Sequence, residues 1–398
     1  MTGDHVERAA AELAATDLAV EDLRGDALHG LMRRAREVGP VVPVRFMGVP
    51  AHLLTRFDVV HGFLADDEHF PGGVIYRHTT RPSVGSTFID LDGAEHDRTR
   101  RLATPAFRSR AVRRFVDEEL TPLAEEVLDR LPGEDEVDLA GGYVQVLPFW
   151  AISRKLGLPR GSEERQRAWA LALLSHPVDP EGARRAAAAV DEFLRPTLAE
   201  RRERPAGDVI SRLLTAEVDG YRLDDAQVAA HVRLLYAVGA TTTSDGLGTL
   251  LRRVLTEPGL WGRLREDRDL LPPVVHESLR TEPPVAVLPR LAVDGGEVAG
   301  HELPPGALVL CGIAAANRDP AVFGDPDRFD PERPEGEVLT FGFGSKFCPG
   351  SHLARQQLAA ALDVLLDRLP DPVARDAPEP AGAVLRRVER LVVSPRGG

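Results

Sequence analysis

A glycine-rich segment near the C-terminal end carries the residue with the clearest chemistry. Residues 341–350 read Phe-Gly-Phe-Gly-Ser-Lys-Phe-Cys-Pro-Gly, and Cys348 lies directly ahead of a predicted helix. The glycines permit a tight loop and a close approach of the backbone to a flat ligand. A helix N-terminus favours a thiolate over a thiol, and a thiolate held in such a loop suits the axial position of a haem iron. The alternative is a buried structural cysteine.

The second cysteine, Cys311, lacks such a setting and is predicted to be a core residue. Two cysteines make no disulfide framework, and they favour a reducing, cytoplasmic compartment. A zinc site is not expected, because no second cysteine or paired histidines lie at ligand spacing.

Helices must position this segment. Apolar residues at three- and four-residue spacing predict a mostly helical region from His96 to Asp267, with its longest helix from Asp224 to about Thr256. A final helix is predicted from about Ser351 to Leu369. Short strand-like pieces occur before residue 60 and after residue 288, and a loop is expected from Pro71 to Gly93. The fold class is therefore mainly α with a minor, discontinuous β part.

Composition narrows the functional class. The chain has 398 residues, a formal charge of −13 and 43% hydrophobic residues, so a nucleic-acid binder is not expected. Residues 1–19 have neither a basic n-region nor an apolar h-region, and no apolar run is long enough to span a bilayer. We expect a cytoplasmic protein with no membrane span and one domain over residues 1–398.

The segment around Cys348 resembles the cysteine-loop signature of the cytochrome P450 family, Phe-Gly-x-Gly-x-basic-x-Cys-x-Gly. Two further segments match the family's motifs in order, Glu277-Ser-Leu-Arg280 and Phe329-Asp-Pro-Glu-Arg333. The resemblance extends from about residue 40 onward. It implies the P450 fold, a long central helix over a buried haem b, Cys348 as the iron ligand, and a buried network of Glu277, Arg280 and Arg333.

The resemblance also implies contacts to the haem. The segment His96-Asp-Arg-Thr-Arg100 matches the family's His-x-x-x-Arg, in which both side chains lie on one helical face. Arg290 matches another arginine that binds a haem propionate, and Lys346 occupies the basic position two residues before the cysteine. The predicted cofactor-binding residues are His96, Arg100, Arg290, Lys346, Phe341 and Gly350.

The segment Val238-Gly-Ala-Thr-Thr-Thr243 aligns with the family's oxygen-activation motif. Gly239 would let the helix approach the iron, and Thr242 aligns with the alcohol that guides protons to oxygen. Thr241 stands where the family has an acid, and Asp245, the nearest carboxylate, is a full turn away. Three outcomes stay open: an ordinary monooxygenase with Thr241 and water in the relay, a peroxide-driven enzyme, or a reaction other than simple hydroxylation.

Pro349 directly follows the proposed ligand and has no N–H group. It cannot donate a hydrogen bond to the thiolate, which would lower the iron potential. The alternative is a proline that simply begins a helix.

The substrate pocket implied by the resemblance is mostly aliphatic. It would be formed by the Pro71–Gly93 loop, the turn near Ala383, and Leu234, Val238, Val285, Val287 and Leu288. This lining indicates a lipophilic small molecule, in keeping with secondary metabolism. Arg77, His78 and Arg81 are weaker candidates for steering a carboxylate.

Seven arginines and no acidic residue lie between Arg98 and Arg114. This local positive charge would suit an acidic ferredoxin, or it is a solvated helical face. No flavin or nicotinamide fingerprint appears, so electrons are expected from a separate ferredoxin and ferredoxin reductase, with this chain a monomer. The predicted function is a haem-thiolate monooxygenase; a peroxide-driven or non-hydroxylating enzyme and a non-catalytic haem sensor are the alternatives.

Overall fold

The computed structural model describes residues 3–21, 23–132, 135–159, 163–334 and 336–394. Helices make up most of these residues. They are α1 Gly3–Ala15, α2 Asp26–Val38, α3 Phe57–Ala65, α4 Val74–Thr79, α5 Arg81–Val84, α6 Gly93–Ala103, α7 Ser109–Phe115, α8 Thr121–Asp129, α9 Leu147–Leu156, α10 Glu163–Leu174, α11 Pro180–Glu203, α12 Val209–Thr215, α13 Asp225–Thr256, α14 Leu260–Glu266, α15 Leu271–Thr281, α16 Ile313–Ala316 and α17 Ser351–Arg368.

The strands are short and form three separate sheets. They are β1 Val41–Phe46, β2 Val49–Leu54, β3 Val137–Asp138, β4 Leu288–Ala292, β5 Gly296–Val298, β6 His301–Leu303, β7 Ala307–Cys311, β8 Val373–Asp376 and β9 Val392–Ser394. The largest sheet has the order β1-β2-β7-β4, the second has the order β3-β9-β8, and β5 pairs with β6. The predicted fold class, mainly α with a minor β part, is confirmed.

The central helix α13 begins where its sequence predicts. Asp224 accepts a hydrogen bond from the backbone N–H of Gln227, and the Gln227 side chain accepts one from the N–H of Asp224, which completes a capping box. The helix has 32 residues, a length of roughly 48 Å. Its buried residues lie on all faces, as expected for a helix that crosses a protein core. It packs most extensively on α9 and also on α10 and α17.

Three groups of buried apolar residues surround this arrangement. The largest lies between α13 and the helices around it. The second joins α2 to one part of the main sheet, and the third joins α3 to β7. Cys311 is fully buried in the third group, as predicted.

The prediction of a loop from Pro71 to Gly93 is wrong. This segment contains α4 and α5, two short helices. Pro82 lies in the first turn of α5, where its missing N–H costs nothing, and Gly85 ends that helix at φ +93°. The turn-rich composition therefore marked the ends of short helices rather than their absence. In the described parts of the chain, no helix combines the length and the apolar character needed to cross a membrane.

Candidate active site

A cavity of about 280 Å³ lies between α13 and the segment that carries Cys348. Most of its wall is apolar. The aliphatic and aromatic side chains that line it are Phe88, Ile89, Phe107, Ile152, Leu234, Leu235, Val238, Leu279, Val285, Leu288, Ile313, Leu339, Phe341, Leu353 and Leu358. None of the described residues in this wall is acidic. The predicted pocket residues Leu234, Val238, Val285 and Leu288 are therefore brought together.

The segment before α17 forms a compact loop that presents Cys348 to the cavity. The backbone N–H of Cys348 donates to the carbonyl of Phe341 at 2.9 Å, which closes the loop. Gly344 has φ +70°, and a Cβ there would lie 2.4 Å from the carbonyl oxygen of Leu64. Only glycine fits at this position, because any side chain would meet the backbone.

Cys348 is half buried and forms no disulfide. Burial raises the pKa of its thiol, while the Gly350 N–H and the cations of Arg100 and Arg355 act to lower it. The expectation that the helix N-terminus alone favours the thiolate is therefore incomplete. In the protein without a metal, desolvation outweighs these three groups.

A buried ionic network lies behind the loop. The guanidinium of Arg280 is fully buried and donates to both carboxylate oxygens of Glu277, each at 2.7 Å. Arg280 also donates to the carbonyls of Asn317 at 2.8 Å and Pro326 at 2.9 Å. The Nε atom of Arg333 lies 3.5 Å from the same Glu277 carboxylate. The three residues predicted as a network do lie together.

Two residues that sequence reasoning missed connect this network to the loop. The side-chain oxygen of Asn317 accepts from the N–H of Leu339 at 2.8 Å, and its nitrogen donates to the Thr340 hydroxyl at 2.9 Å. Thr340 in turn donates to the carbonyl of Leu279 on α15 at 2.7 Å. No short sequence motif predicts these contacts, because Asn317 and Thr340 are common polar residues that lie in irregular segments.

Three cations line the cavity wall. Arg290 on β4 is 4% exposed, and among the described residues its side chain contacts only the Tyr76 hydroxyl and the Pro289 carbonyl, without an ion pair. Arg100 on α6 donates to the carbonyl of Phe347. Lys346 donates to backbone carbonyls and lies 3.5 Å from Asp92. Three cations meet at one largely apolar cavity, and two of them, Arg290 and Arg100, form no ion pair among the described residues, which indicates an anion-binding region.

His96, also on α6, does not line the cavity but lies close behind this wall. Its Nδ1 atom contacts the Asp97 carboxylate at 3.1 Å, whereas its buried Nε2 atom has no partner. Burial lowers the pKa of His96, and the neighbouring Lys346 and Arg100 lower it further. The four predicted basic residues thus form one cluster.

This wall fits a haem by three independent features of the chain. Glycines and apolar side chains make up most of the wall, Cys348 provides a sulfur ligand, and Arg290, Arg100 and Lys346 provide positive charge suited to the carboxylates of a haem. Phe341 and Gly350, both predicted to bind the cofactor, line it as well. The guanidinium of Arg355 lies 4.4 Å from the centre of the Phe341 ring and covers its other side.

The three consecutive threonines of α13 differ in what they face. Thr242 and Thr243 line the large cavity, whereas Thr241 lines a second cavity of about 90 Å³. Each hydroxyl donates to the carbonyl four residues earlier, at 2.8–3.0 Å. Such bonds satisfy the hydroxyl inside the helix and favour local bending. Thr241, predicted as a catalytic residue, therefore lines a cavity other than the one that contains Cys348.

Gly239 lines the large cavity. A glycine is favoured at this position because α13 packs against α9 there. A Cβ at this position would lie 3.1 Å from two side-chain carbons of Ile152. The glycine lets α13 and α9 approach closely, and its predicted role in the approach of the helix to the iron stays a prediction.

Some predicted pocket residues lie elsewhere. Val287 is fully buried in the core group with α2 and does not line the cavity. Ala383 is buried in the same group. Arg77 pairs with Asp92, and Arg81 lies 3.7 Å from the Asp90 carboxylate, so both are already neutralised.

The arginines between Arg98 and Arg114 make different contacts. Arg98 stacks on the Tyr221 ring at 4.1 Å, Arg101 pairs with Asp219, and Arg114 pairs with Glu118. Three others are exposed and form no ion pair within the described part of the chain, namely Arg108, Arg110 and Arg113. The exposed positive surface is thus smaller than the sequence suggested.

Comparison with known proteins identifies the family. The family model for Cytochrome P450 matches residues 180–370. Cytochrome P450 107B1 of Saccharopolyspora erythraea is 32% identical over 95% of this chain and 97% of its own length. The chain belongs to the cytochrome P450 family. The prediction made from the cysteine loop and the ordered motifs is confirmed.

Two further P450s are similar to this chain over most of its length. Mycinamicin IV hydroxylase/epoxidase of Micromonospora griseorubida is 32% identical over 88% of this chain and 90% of its own length. The solved structure of the bacillaene polyketide synthase cytochrome P450 PksS of Bacillus subtilis 168 has a TM-score of 0.85 at 28% identity, covering 92% of this chain and 96% of that one. The protein is a haem-containing P450 monooxygenase. P450 monooxygenases place one oxygen atom from O₂ in a lipophilic small molecule and receive electrons from redox partners.

Proposed function

We propose that this P450 acts as a single catalytic domain that binds haem b in the 280 Å³ cavity and hydroxylates or epoxidises a lipophilic secondary metabolite. Cys348 would hold the haem iron through its sulfur, and the single observation that carries this assignment is a cysteine in a largely apolar cavity wall that also contains Arg290 and Arg100, which form no ion pair among the described residues. When bound, the haem supplies activation of O₂ and its cleavage.

The cations of the wall hold the cofactor by its carboxylates. Arg290 and Arg100 are proposed to bind the propionates, with Lys346 and His96 as additional donors. Arginine suits a carboxylate because its planar fork donates two parallel hydrogen bonds. Lys346 keeps the positive charge of its position but donates as a point charge.

Other residues that line the cavity are proposed to control the access of water and the transfer of protons. Leu234, Val238 and Val285 exclude water from the cavity and provide the contact surface for an apolar substrate. Thr242, like Thr243, lines this cavity, and its hydroxyl donates to the Val238 carbonyl. It is proposed to exchange its bond to the Val238 carbonyl for one to the oxygen that reacts, and so to pass protons.

The substrate class follows from the wall and from relatives. The lining is largely aliphatic and has no carboxylate among the described residues. Relatives include the Erythromycin C-12 hydroxylase of Saccharopolyspora erythraea and the Cyclomarin C epoxidase CymV of Salinispora arenicola. A secondary metabolite of mainly apolar surface is therefore proposed here.

Electrons are proposed to come from a ferredoxin and its reductase to a monomeric, cytoplasmic enzyme. Arg108, Arg110 and Arg113 form an exposed positive group near α7 that suits an acidic partner. Reduction by ferredoxin should then slow steeply as salt is added, because screening weakens steering between exposed charges.

Peroxide-driven turnover is the second candidate. It is favoured by the absence of any carboxylate among the described residues that line the haem cavity, and by Thr241 in the position of the family's acid. Product formation is compared with ferredoxin, reductase and NAD(P)H in one reaction and hydrogen peroxide in the other. Activity with peroxide alone would overturn the O₂-dependent proposal.

The ligand assignment is tested by the absorption spectrum of the reduced carbon monoxide complex. Wild type and the control Cys311→Ser should give a strongly red-shifted Soret band, because Cys311 is buried in the core and does not line the cavity. Cys348→Ser should lose that band while it still binds haem. A red-shifted band in folded Cys348→Ser would overturn the assignment.

A further inference from the structure

The second cavity lies against α13 beside the haem cavity and is lined by a different set of residues. Three polar residues of the helix line it, Thr241, Ser244 and Asp245. The other polar residues in its wall are Gln145, Arg167 of α10 and Arg387 from the turn between β8 and β9. Arg387 and the exposed Leu171 border it where it meets solvent. Thr241 and Asp245 thus share a cavity that is open to water.

Asp245 is a buried carboxylate with half of its hydrogen-bonding capacity unused. One oxygen accepts from the Nε atom of Arg387 at 2.9 Å, while the other is buried and has no partner in the described structure. The adjacent Ser244 hydroxyl is also buried and unpartnered. Burial raises the pKa of Asp245, although the Arg387 cation lowers it in part.

Unpaired buried oxygens at a cavity of this size indicate bound water. A water site needs about 10–15 Å³ and two or more polar partners, and this cavity offers about 90 Å³ beside Thr241, Ser244 and Asp245. Water there would satisfy the free oxygen of Asp245 and reach the Thr241 hydroxyl. Leaving these buried groups permanently without a partner would be destabilising.

Helical geometry brings Asp245 close to both threonines. It follows Thr242 by three residues and Thr241 by four, and residues at these spacings are neighbours on a helix surface. Side chains on a helix lean towards its N-terminus, so the Asp245 carboxyl lies over the turn that carries Thr241 and Thr242. A carboxyl displaced by one turn is therefore still next to the oxygen-activation segment.

We propose that Asp245 delivers protons to the haem cavity of this chain, through water in the second cavity and the hydroxyls of Thr241 and Thr242. It takes the task of the acid that is missing at position 241. The inference rests on the proposed function, since it requires O₂ to be reduced in the haem cavity.

The reaction balances without any further reagent. Two electrons from the redox partner and two protons reduce one O₂, so that one oxygen atom enters the substrate and the other leaves as water. For each proton, Asp245 releases its own to the water chain and regains one from solvent through the open end of the cavity. The charged groups that face it there are Arg387 and Arg167, so both can influence its titration.

The main test compares Asp245→Asn with the control Asp129→Asn. Asp129 also pairs with an arginine, Arg368, but this pair is exposed and lies outside both cavities. With ferredoxin, reductase and NAD(P)H, Asp245→Asn should form product at least about tenfold more slowly, because a positioned proton donor contributes at least that much. The consumed NAD(P)H should appear as hydrogen peroxide, and the solvent deuterium isotope effect should increase. Asp129→Asn should match wild type.

Peroxide-driven turnover separates proton delivery from a structural role. Hydrogen peroxide brings its own protons, so Asp245→Asn should keep near wild-type activity with it, and Asp245→Glu should recover part of the O₂-dependent rate. Equal loss in both reactions, or wild-type product per NAD(P)H, would overturn the inference. If the thiolate spectrum of the carbon monoxide complex is absent in wild type, the proposed function has failed instead.

A measurement independent of turnover uses the infrared band of a protonated carboxyl in the ferric protein. The band assigned to Asp245 should titrate with pH and be missing in Asp245→Asn. Arg387→Gln removes the cation that lowers the pKa of Asp245, so the band should persist to higher pH. If Asp245→Asn does not fold, the band is assigned by its shift in Arg387→Gln, and the absence of any carboxyl band that responds to Arg387→Gln would overturn the inference.

Discussion

The cysteine side and the α13 side of the haem cavity are held in place by different forces. The loop of Cys348 depends on side chains from distant parts of the chain, with Arg280, Glu277 and Asn317 bonded to one another and to the loop. The α13 side depends on the helix's own backbone and on apolar packing, and its threonine hydroxyls bond only within the helix. Changes on the first side should therefore affect assembly, and changes on the second should affect chemistry.

The largest expected effect is on the cysteine side. Glu277→Gln would leave the fully buried Arg280 cation without its carboxylate, and breaking such a pair typically costs about 3–5 kcal/mol. Urea unfolding should show this loss, together with reduced haem content. The control Glu118→Gln removes an exposed partner of Arg114, which should cost less than about 1 kcal/mol. Equal stability of the two variants would contradict the contrast.

Haem retention should depend on the cations of the wall. Arg290→Gln removes a buried cation, and the loss of one hydrogen bond to a charged group is worth about 1.5–3 kcal/mol, or roughly 10- to 100-fold in affinity. The rate of haem transfer to a scavenging globin measures this. Arg290→Lys keeps the charge and should lose haem more slowly. Wild-type retention in Arg290→Gln would place the propionates elsewhere.

On the α13 side, function should change without loss of stability. Thr242→Val keeps the shape and removes only the hydroxyl that bonds to the Val238 carbonyl. Unfolding free energy should change by less than about 1.5 kcal/mol, while product per NAD(P)H should fall several-fold. Thr249→Val is the matched control, because Thr249 is buried on the same helix and lines neither cavity. A similar loss of product in the control would show a packing effect.

The smallest effect is expected at Pro349, which lines the cavity beside the sulfur. Gly350 already donates its N–H to Cys348, so Pro349→Leu would add a second backbone donor to the thiolate. A second donor withdraws electron density from sulfur, and the reduction potential should rise slightly. Spectroelectrochemical titration measures the reduction potential. An unchanged potential would show that Pro349 only shapes the start of α17.

Much of the cysteine side was predictable from sequence. The loop, the Glu277–Arg280 spacing and the later Arg333 form motifs in a fixed order, and the structure brings these residues together. Asn317 and Thr340 could not be predicted, because their contacts join segments that are separated in sequence and carry no distinctive pattern. The helical content of residues 71–93 was missed for a related reason, since glycine and proline at helix ends resemble those of loops.

By itself the sequence determined that Cys348 is held in a tight loop before a helix, that α13 spans residues 225–256, and that the family's acid is missing at position 241. These features depend on short spacings and on caps. Only the tertiary structure decided that Thr242 faces the haem cavity while Thr241 and Asp245 face another, and that Val287 lies in the core. The face that a helical residue presents becomes meaningful only once neighbouring elements pack around it, and those contacts come from far along the chain.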